Sequence, residues 1–166
     1  KVTDFAFYDD ALLVDSGRLA APLLEELCKL KLKVRFHTPN ALHIREITQP
    51  LARLMRQTGF YTIRLGLETT AFGSRLEMDC KVTEGEFLRS VLHLIDAGFD
   101  PKQLGAYLLA GLPHQEVEEV ENSIRVVKRA GITPIIAHYT PIPHTPMWDD
   151  AVATSRYDLE ADPIFT

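Results

Sequence analysis

Residues 48–67, TQPLARLMRQTGFYTIRLGL, contain the pattern that decides the fold, which is an amphipathic helix, a glycine and a β-strand. Thr48 and Pro50 are typical of a helix N-terminus, and Gly59 supplies the left-handed residue that commonly ends a helix. The β-favouring run at 61–67 follows directly. Because a helix that leads straight into a strand is half of a β–α–β unit, this stretch predicts a parallel sheet.

The same junction occurs twice more along the chain, at Gly98 and at Gly131, where the glycine precedes Phe99 or Ile132 and a predicted strand comes next. The predicted strands are at residues 2–8, 33–38, 61–67, 104–110 and 134–140. The predicted helices run from 18 to 30, from 48 to Gly59, from 83 to Gly98 and from 115 to 130. Strands therefore alternate with helices over most of the sequence.

Two of these helices have further internal signals. In the first, Leu19, Leu23 and Leu27 are spaced to form one apolar face. In the third, Thr83 is followed three residues later by Glu86, which is the spacing of a capping box.

About five β–α units predict an α/β fold of one domain, residues 1–166, built as a partial parallel barrel of the TIM type. A closed eight-stranded barrel needs roughly 250 residues, and this sequence has 166. We assign the barrel units to about 1–148 and a C-terminal extension to 149–166. A doubly wound sheet has the same sequence pattern and is the alternative. Both ends lack a lead-in or a closing signal, so we expect a piece of a longer protein.

Composition argues against several classes of function. The formal net charge is −5, and no cluster of Lys and Arg provides a nucleic-acid surface. No apolar stretch approaches the roughly 20 residues of a membrane span, and no secretory signal is present, so we expect a cytoplasmic protein. Cys28 and Cys80 have neither disulfide nor metal-ligand spacing, and we interpret both as structural.

In parallel α/β folds the functional site lies at the carboxyl ends of the strands. The polar and turn-forming residues at these positions are Asp9, Asp10, Asn40, Glu68, Gly111, Tyr139 and Thr140. For the two aspartates the alternative is that one caps the following turn and the other is solvated. His37 and His138 also lie near strand ends, and we interpret them as hydrogen-bonded rim residues.

The third strand has an unusual polar face. Alternation puts Thr62, Arg64, Gly66 and Glu68 on one side, whereas a buried parallel strand is apolar on both sides. This stripe predicts a lumen that holds a polar ligand, with Gly66 allowing close approach. The alternative is a structural ion pair between Arg64 and Glu68 that fills the barrel.

Taken in order, these motifs resemble those of the radical S-adenosylmethionine (SAM) superfamily. The resemblance is closest to the branch with Asp-Asp after its second strand, which includes cobalamin-associated and Fe–S oxidoreductase-type members. The matching stretches span most of the chain and are Phe7-Tyr8-Asp9-Asp10, Gly66-Leu67-Glu68-Thr69, Lys81, Gly111-Leu112-Pro113 and Thr140-Pro141-Ile142-Pro143-His144-Thr145. The chain is similar to strands two to six of the family's six-stranded partial barrel. His114 and His144 depart from the pattern, since the family usually has glycine there.

The resemblance implies an enzyme that uses a reduced [4Fe–4S] cluster to cleave SAM into methionine and a 5′-deoxyadenosyl radical, which then abstracts a substrate hydrogen atom. The family's three cluster cysteines follow its first strand, and neither Cys28 nor Cys80 matches them. By resemblance, this chain alone is therefore expected to lack the cluster and to be inactive.

The resemblance also implies roles for individual residues toward SAM. Glu68, in the Gly-x-Glu motif with Gly66, would contact the amino group or the ribose. The other implied contacts are Asn40 and Arg64 at the polar end, Asp9 and Asp10 near the methionyl end, and Gly111, Tyr139 and Thr140 on the adenine side. Lys81 would pair with Glu68 or another carboxylate.

Two other functions remain open at this point. A metal-dependent lyase or hydrolase on an α/β barrel would use Asp9, Asp10 and Glu68 for Mg²⁺, or His37 and His138 for zinc. A non-catalytic binding domain is the second. Without the first unit of the family's barrel, one sheet edge would be uncovered, and we expect self-association through it because an unpaired strand invites pairing with another chain.

Overall fold

The structure is a computed structural model that describes residues 2–70 and 82–161. Its five parallel strands form a sheet whose spatial order equals the sequence order. They are β1 (Asp4–Ala6), β2 (Arg35–His37), β3 (Phe60–Glu68), β4 (Leu104–Ala110) and β5 (Thr133–His138). A doubly wound sheet would require a reversal of the strand order. The predicted partial barrel is therefore confirmed, and the doubly wound alternative is wrong.

Helices connect the strands and cover one face of the sheet. They are α1 (Ala20–Lys29), α2 (Gln49–Thr58), α3 (Glu84–Asp96) and α4 (Val117–Arg129), with α5 (Trp148–Thr154) after the last strand and short 3₁₀ turns at Ile44–Glu46 and Pro101–Gln103. No helix in the described ranges is both long and apolar enough to cross a membrane.

The hydrophobic core lies between this face of the sheet and the helices. Ile63, Leu65 and Leu67 alternate along β3 and are at most 5% exposed. The rings of Phe36 and Phe60 on neighbouring strands pack with centroids 5.6 Å apart. The residues between the three buried β3 side chains point to the opposite face, which we call the inner face. The predicted alternation is confirmed along residues 62–67.

The helix ends follow the local sequence signals. Thr48 Oγ1 accepts a hydrogen bond from the Leu51 N–H, and Thr83 and Glu86 form the predicted capping box. The residues that end α2, α3 and α4 include Gly59, Gly98 and Gly131, whose φ angles are +106°, +95° and +82°. These positive values confirm the predicted left-handed glycines.

The first β–α unit differs from its prediction. The strand predicted at 2–8 is limited to Asp4–Ala6, and turns occupy 10–19 before α1 begins. Leu19 and Leu23, predicted for the apolar face of α1, are 63% and 44% exposed, whereas Leu24 is buried. The physical reason is that the turns deliver Leu13 into the core, so α1 packs on α2 with a different face.

Candidate functional site

A pocket of about 360 Å³ lies at the carboxyl ends of β1, β2 and β3. Asp10 contributes to its wall from the end of β1, and Gly66 and Glu68 contribute from the end of β3. The rest of the wall is made by residues 41–46, which follow β2, and by Val82. Three of the residues singled out from the sequence therefore line one cavity, at the edge of the sheet where it was predicted.

Asn40 and the two aspartates have different roles at the end of β1. Asn40 Nδ2 donates a hydrogen bond to Asp10 Oδ1 at 2.5 Å and another to the Tyr8 carbonyl at 3.2 Å. Asp9 Oδ1 instead accepts from the Ala11 N–H at 2.7 Å, so it caps the following turn. Asp10, held by Asn40, is the aspartate that faces the pocket.

Gly66 lies where the segment after β2 pairs again with β3. β2 ends at His37, and in the segment that follows the Leu42 N–H donates to the Arg64 carbonyl at 2.7 Å and the Gly66 N–H donates to the Leu42 carbonyl at 3.1 Å. A β-carbon at Gly66 would lie 3.2 Å from Ala41 Cβ. The absence of a side chain at Gly66 therefore lets Ala41, another residue of the pocket wall, pack closely against β3. It also leaves the space beside Gly66 free for a ligand.

Glu68 ends β3 in a strained conformation. The register with β4 shifts between Gly66 and Glu68, so that two residues of β3 oppose one residue of β4, and the φ of Glu68 is +63°. Bulges and left-handed non-glycine residues cluster at functional sites because they re-aim side chains. Here they occur at the exposed Glu68, which lines the pocket together with Gly66.

Arg64 does not join this pocket, and it does not pair with Glu68. Its guanidinium Nη1 donates to the Ile63 carbonyl at 3.1 Å and to the Gln103 carbonyl at 3.2 Å. Because Gln103 directly precedes β4, the guanidinium points to the amino ends of the strands, whereas Glu68 lies about 13 Å along the strand in the other direction. The alternative of an Arg64–Glu68 ion pair is wrong.

The turn after β4 is fixed by a residue that the sequence analysis did not single out. Gln115 Oε1 accepts from the Gly111 N–H at 2.8 Å and from the Leu112 N–H at 3.3 Å, and Gln115 Nε2 donates to the Leu109 carbonyl at 3.1 Å. One carboxamide thus satisfies three main-chain groups. The sequence signal for this contact is a glutamine placed four residues after the glycine that follows the strand.

The remaining predicted site residues lie at the ends of β4 and β5. Gly111 follows β4 with a φ of +89°, and the Tyr139 N–H donates to the Ala110 carbonyl at 2.8 Å, with Thr140 next in sequence. The described pocket wall contains none of these three residues. His114 and His144 have φ angles of +58° and +65°. Glycine is the residue that adopts such angles without strain, which agrees with the glycines that the resemblance led us to expect at these two positions.

A hydrogen-bonded chain of polar side chains crosses β1, β2 and β3. Arg35 donates to both Asp4 oxygens, at 2.7 and 2.8 Å. His37 Nε2 lies 2.9 Å from Asp4 Oδ1, and His37 Nδ1 lies 2.8 Å from Thr62 Oγ1. The Arg35 guanidinium, then His37 and Thr3, hold the pKa of Asp4 well below its usual range. His37 is hydrogen-bonded, as predicted.

The depressed pKa of Asp4 leads to an expected pH dependence. A carboxyl group with a lowered pKa in the folded state stabilises the fold above its ordinary pKa, here 3.8, and loses that contribution as the pH falls below it. The thermal midpoint of the unaltered chain should therefore exceed that of Asp4→Asn at pH 6, and the difference should shrink between pH 4 and pH 2. Circular dichroism melts across this range provide the measurement. A constant difference would show that the ionised carboxylate contributes nothing.

The candidate metal ligands do not form a group of three. Within 2–70 and 82–161, no three His, Cys, Asp or Glu side chains are grouped to hold a metal ion. Asp9 caps its turn, and His138 is exposed at the end of β5. Lys81 and Cys80, which the sequence analysis also discussed, lie outside the described residues.

Comparison with known proteins gives similarity at the level of structure. No family model matches the sequence, and no curated protein matches it significantly. Among solved structures, the chain is similar to the radical SAM methyltransferase TsrM from Kitasatospora setae, a structure with cobalamin and a [4Fe–4S] cluster bound. The TM-score is 0.71 at 15% identity, over 90% of this chain and 30% of that one.

Two other solved structures show the same fold. Coproporphyrinogen III oxidase (HemN) from Escherichia coli, described as a radical SAM enzyme, has a TM-score of 0.61 at 16% identity, over 94% of this chain and 41% of that one. Methylornithine synthase (PylB) has a TM-score of 0.61 at 14% identity, over 87% and 41%. This chain thus spans less than half the length of each of these three proteins. Its fold is the partial parallel α/β barrel found in radical SAM enzymes.

Proposed function

We propose that this chain is the SAM-binding part of a radical SAM enzyme. The observation that carries the proposal is the pocket that brings Asp10 and Glu68 together at the ends of β1 and β3. SAM has a positively charged amino group and a sulfonium centre, and carboxylates form strong charge-assisted contacts with such cations. Two of the motifs that resemble the superfamily contribute to this pocket, through Asp10 and through Gly66 and Glu68, and the fold agrees with that resemblance.

The proposal gives the polar residues at the strand ends distinct roles. Glu68 accepts a hydrogen bond from the amino group of SAM, and Asp10 adds a second negative charge at the methionyl end. Asn40 orients Asp10 through the hydrogen bond between their side chains. Gly111, Tyr139 and Thr140, at the ends of β4 and β5, border the adenine side.

The residues present do not fit a [4Fe–4S] cluster. The sequence has two cysteines, and the Sγ of Cys28 is half-buried, 3.1 Å from Thr58 Oγ1. In a radical SAM enzyme the reduced cluster supplies the electron that breaks SAM. This chain would bind and orient SAM, and the cluster ligands would lie on another part of the protein.

The proposal also assigns the substrate to the inner face of the sheet. This face has polar side chains at Asp4, Arg35, His37, Thr62 and Arg64, whereas the inside of an ordinary parallel barrel is filled by apolar layers. A polar substrate beneath the SAM pocket fits such a surface. Its hydrogen atom would be removed by the radical that SAM generates.

The experiment that tests the proposal uses the protein encoded by the full gene, reconstituted anaerobically with iron and sulfide. We expect the reduced protein to give the EPR signal of a [4Fe–4S] cluster, and we expect SAM to change the shape of that signal. A folded protein without a cluster, or a cluster signal that SAM leaves unaltered, would contradict the proposal.

A further inference from the structure

Tyr107 connects two elements that are not neighbours in the sheet. It lies on β4, paired with Gly66 of β3, and it is half-buried. Its phenol Oη donates a hydrogen bond to the Pro39 carbonyl at 2.9 Å. Because Pro39 follows β2, the Tyr107 side chain spans the whole width of β3. Gly66 is the residue of β3 opposite Tyr107, and it presents no side chain that would stand in the way.

The segment that Tyr107 reaches, residues 39–41, leads into the pocket wall and has no main-chain hydrogen bond to the sheet in the described structure. The Thr38 N–H bonds to the Thr62 carbonyl at 3.2 Å, and contact with β3 resumes at Leu42. Pro39 has no N–H to contribute. In the described structure, the side-chain hydrogen bonds that hold the intervening residues are those of Tyr107 to Pro39 and of Asn40 to Asp10 and Tyr8.

We propose that Tyr107 is a positioning residue for the SAM pocket. It is absent from the pocket wall, and it acts through the Pro39 carbonyl on the next residue, Asn40, which orients Asp10. This inference rests on the proposed function, since the ligand is SAM bound at Asp10 and Glu68. Without the phenol hydroxyl, Pro39–Asn40 loses one of its two anchors, and the Asp10 carboxylate is held less firmly toward the ligand.

The test compares SAM affinities in the reconstituted full-length protein, measured by titration calorimetry. Tyr107→Phe keeps the ring and removes one hydrogen bond, and we expect the Kd for SAM to rise about fivefold, since a single hydrogen bond contributes about 1 kcal/mol. Tyr61→Phe is the matched control, because Tyr61 is an exposed tyrosine on β3 that lies outside the pocket wall. Its Kd should stay within twofold of the unaltered protein.

A double-variant cycle separates positioning from a general loss of stability. If Tyr107 acts through Asn40, adding Tyr107→Phe to Asn40→Ala should raise the Kd by less than a further twofold. The hydrogen bond from Asn40 to Asp10 that Tyr107 supports is already absent in that background. A fivefold effect that persists in the Asn40→Ala background would overturn the inference, because it would show an effect independent of Asn40.

The outcomes also distinguish this inference from the proposed function. If Glu68→Gln weakens SAM binding while Tyr107→Phe leaves the Kd within twofold, the positioning role is wrong and the proposed function stands. If the unaltered protein has no measurable affinity for SAM, the proposed function fails, and the positioning role fails with it.

Discussion

Replacing Gly59 with alanine is expected to lower the free energy of unfolding by about 3 kcal/mol. Gly59 has a φ of +106°, which L-residues rarely adopt. A β-carbon there would also lie 2.9 Å from the Val34 carbonyl oxygen, a main-chain atom that cannot rotate away. Both the backbone strain and the clash act at the junction of α2 and β3, in the middle of the sheet. Urea denaturation of Gly59→Ala, followed by circular dichroism, measures the effect.

Gly131 provides the matched control for this prediction. It lies between α4 and β5, as Gly59 lies between α2 and β3. Its φ is +82°, and no atom outside the neighbouring residues lies within 4 Å of the β-carbon that alanine would add. Gly131→Ala should therefore cost only the left-handed strain, about 1 kcal/mol. Equal losses for the two variants would show that the Val34 contact has no energetic weight.

The helix ends could be predicted because their signals act within a few residues. Thr83 and Glu86 cap α3 by bonding to each other's main chain, and Gly59 ends α2 through its own φ angle. Such interactions depend on local sequence alone. The face of α1 could not be predicted in this way, since Leu13 reaches the core from turns whose path depends on distant contacts.

The candidate site was predictable in its location and less so in its detailed contacts. Strand ends of a parallel sheet meet at one edge, so Asp10 and Glu68 were expected close together, and they line one pocket. The direction of a long side chain such as Arg64 is set by an acceptor in the turn before another strand, the Gln103 carbonyl, and periodicity contains no information about that acceptor. The Tyr107 contact with Pro39 was missed for the same reason, because it joins residues on either side of β3.

In the reconstituted full-length protein, Glu68→Gln is expected to raise the Kd for SAM at least tenfold. Gln keeps the length and one acceptor oxygen of Glu68 but removes its negative charge, and a hydrogen bond to a charged group is worth about 1.5–3 kcal/mol. The strained φ of +63° at this position is unchanged by the substitution, so the backbone around the pocket should be preserved. Titration calorimetry with SAM measures the affinity, and a thermal melt confirms that the fold is retained.

Glu46→Gln is the control that distinguishes a direct contact between Glu68 and SAM from the electrostatic effect of the pocket's total negative charge. Glu46 lines the same cavity, and the substitution removes the same charge without altering β3. If Glu68 contacts the amino group directly, Glu46→Gln should change the Kd about twofold or less, because a charge that makes no direct contact is largely screened by solvent. Equal losses in the two variants would mean that SAM responds to the total negative charge of the pocket. In that case the Gly-x-Glu motif would owe its effect to Gly66 and the bulge, which shape the cavity, and the Glu68 carboxylate would have no specific part in binding.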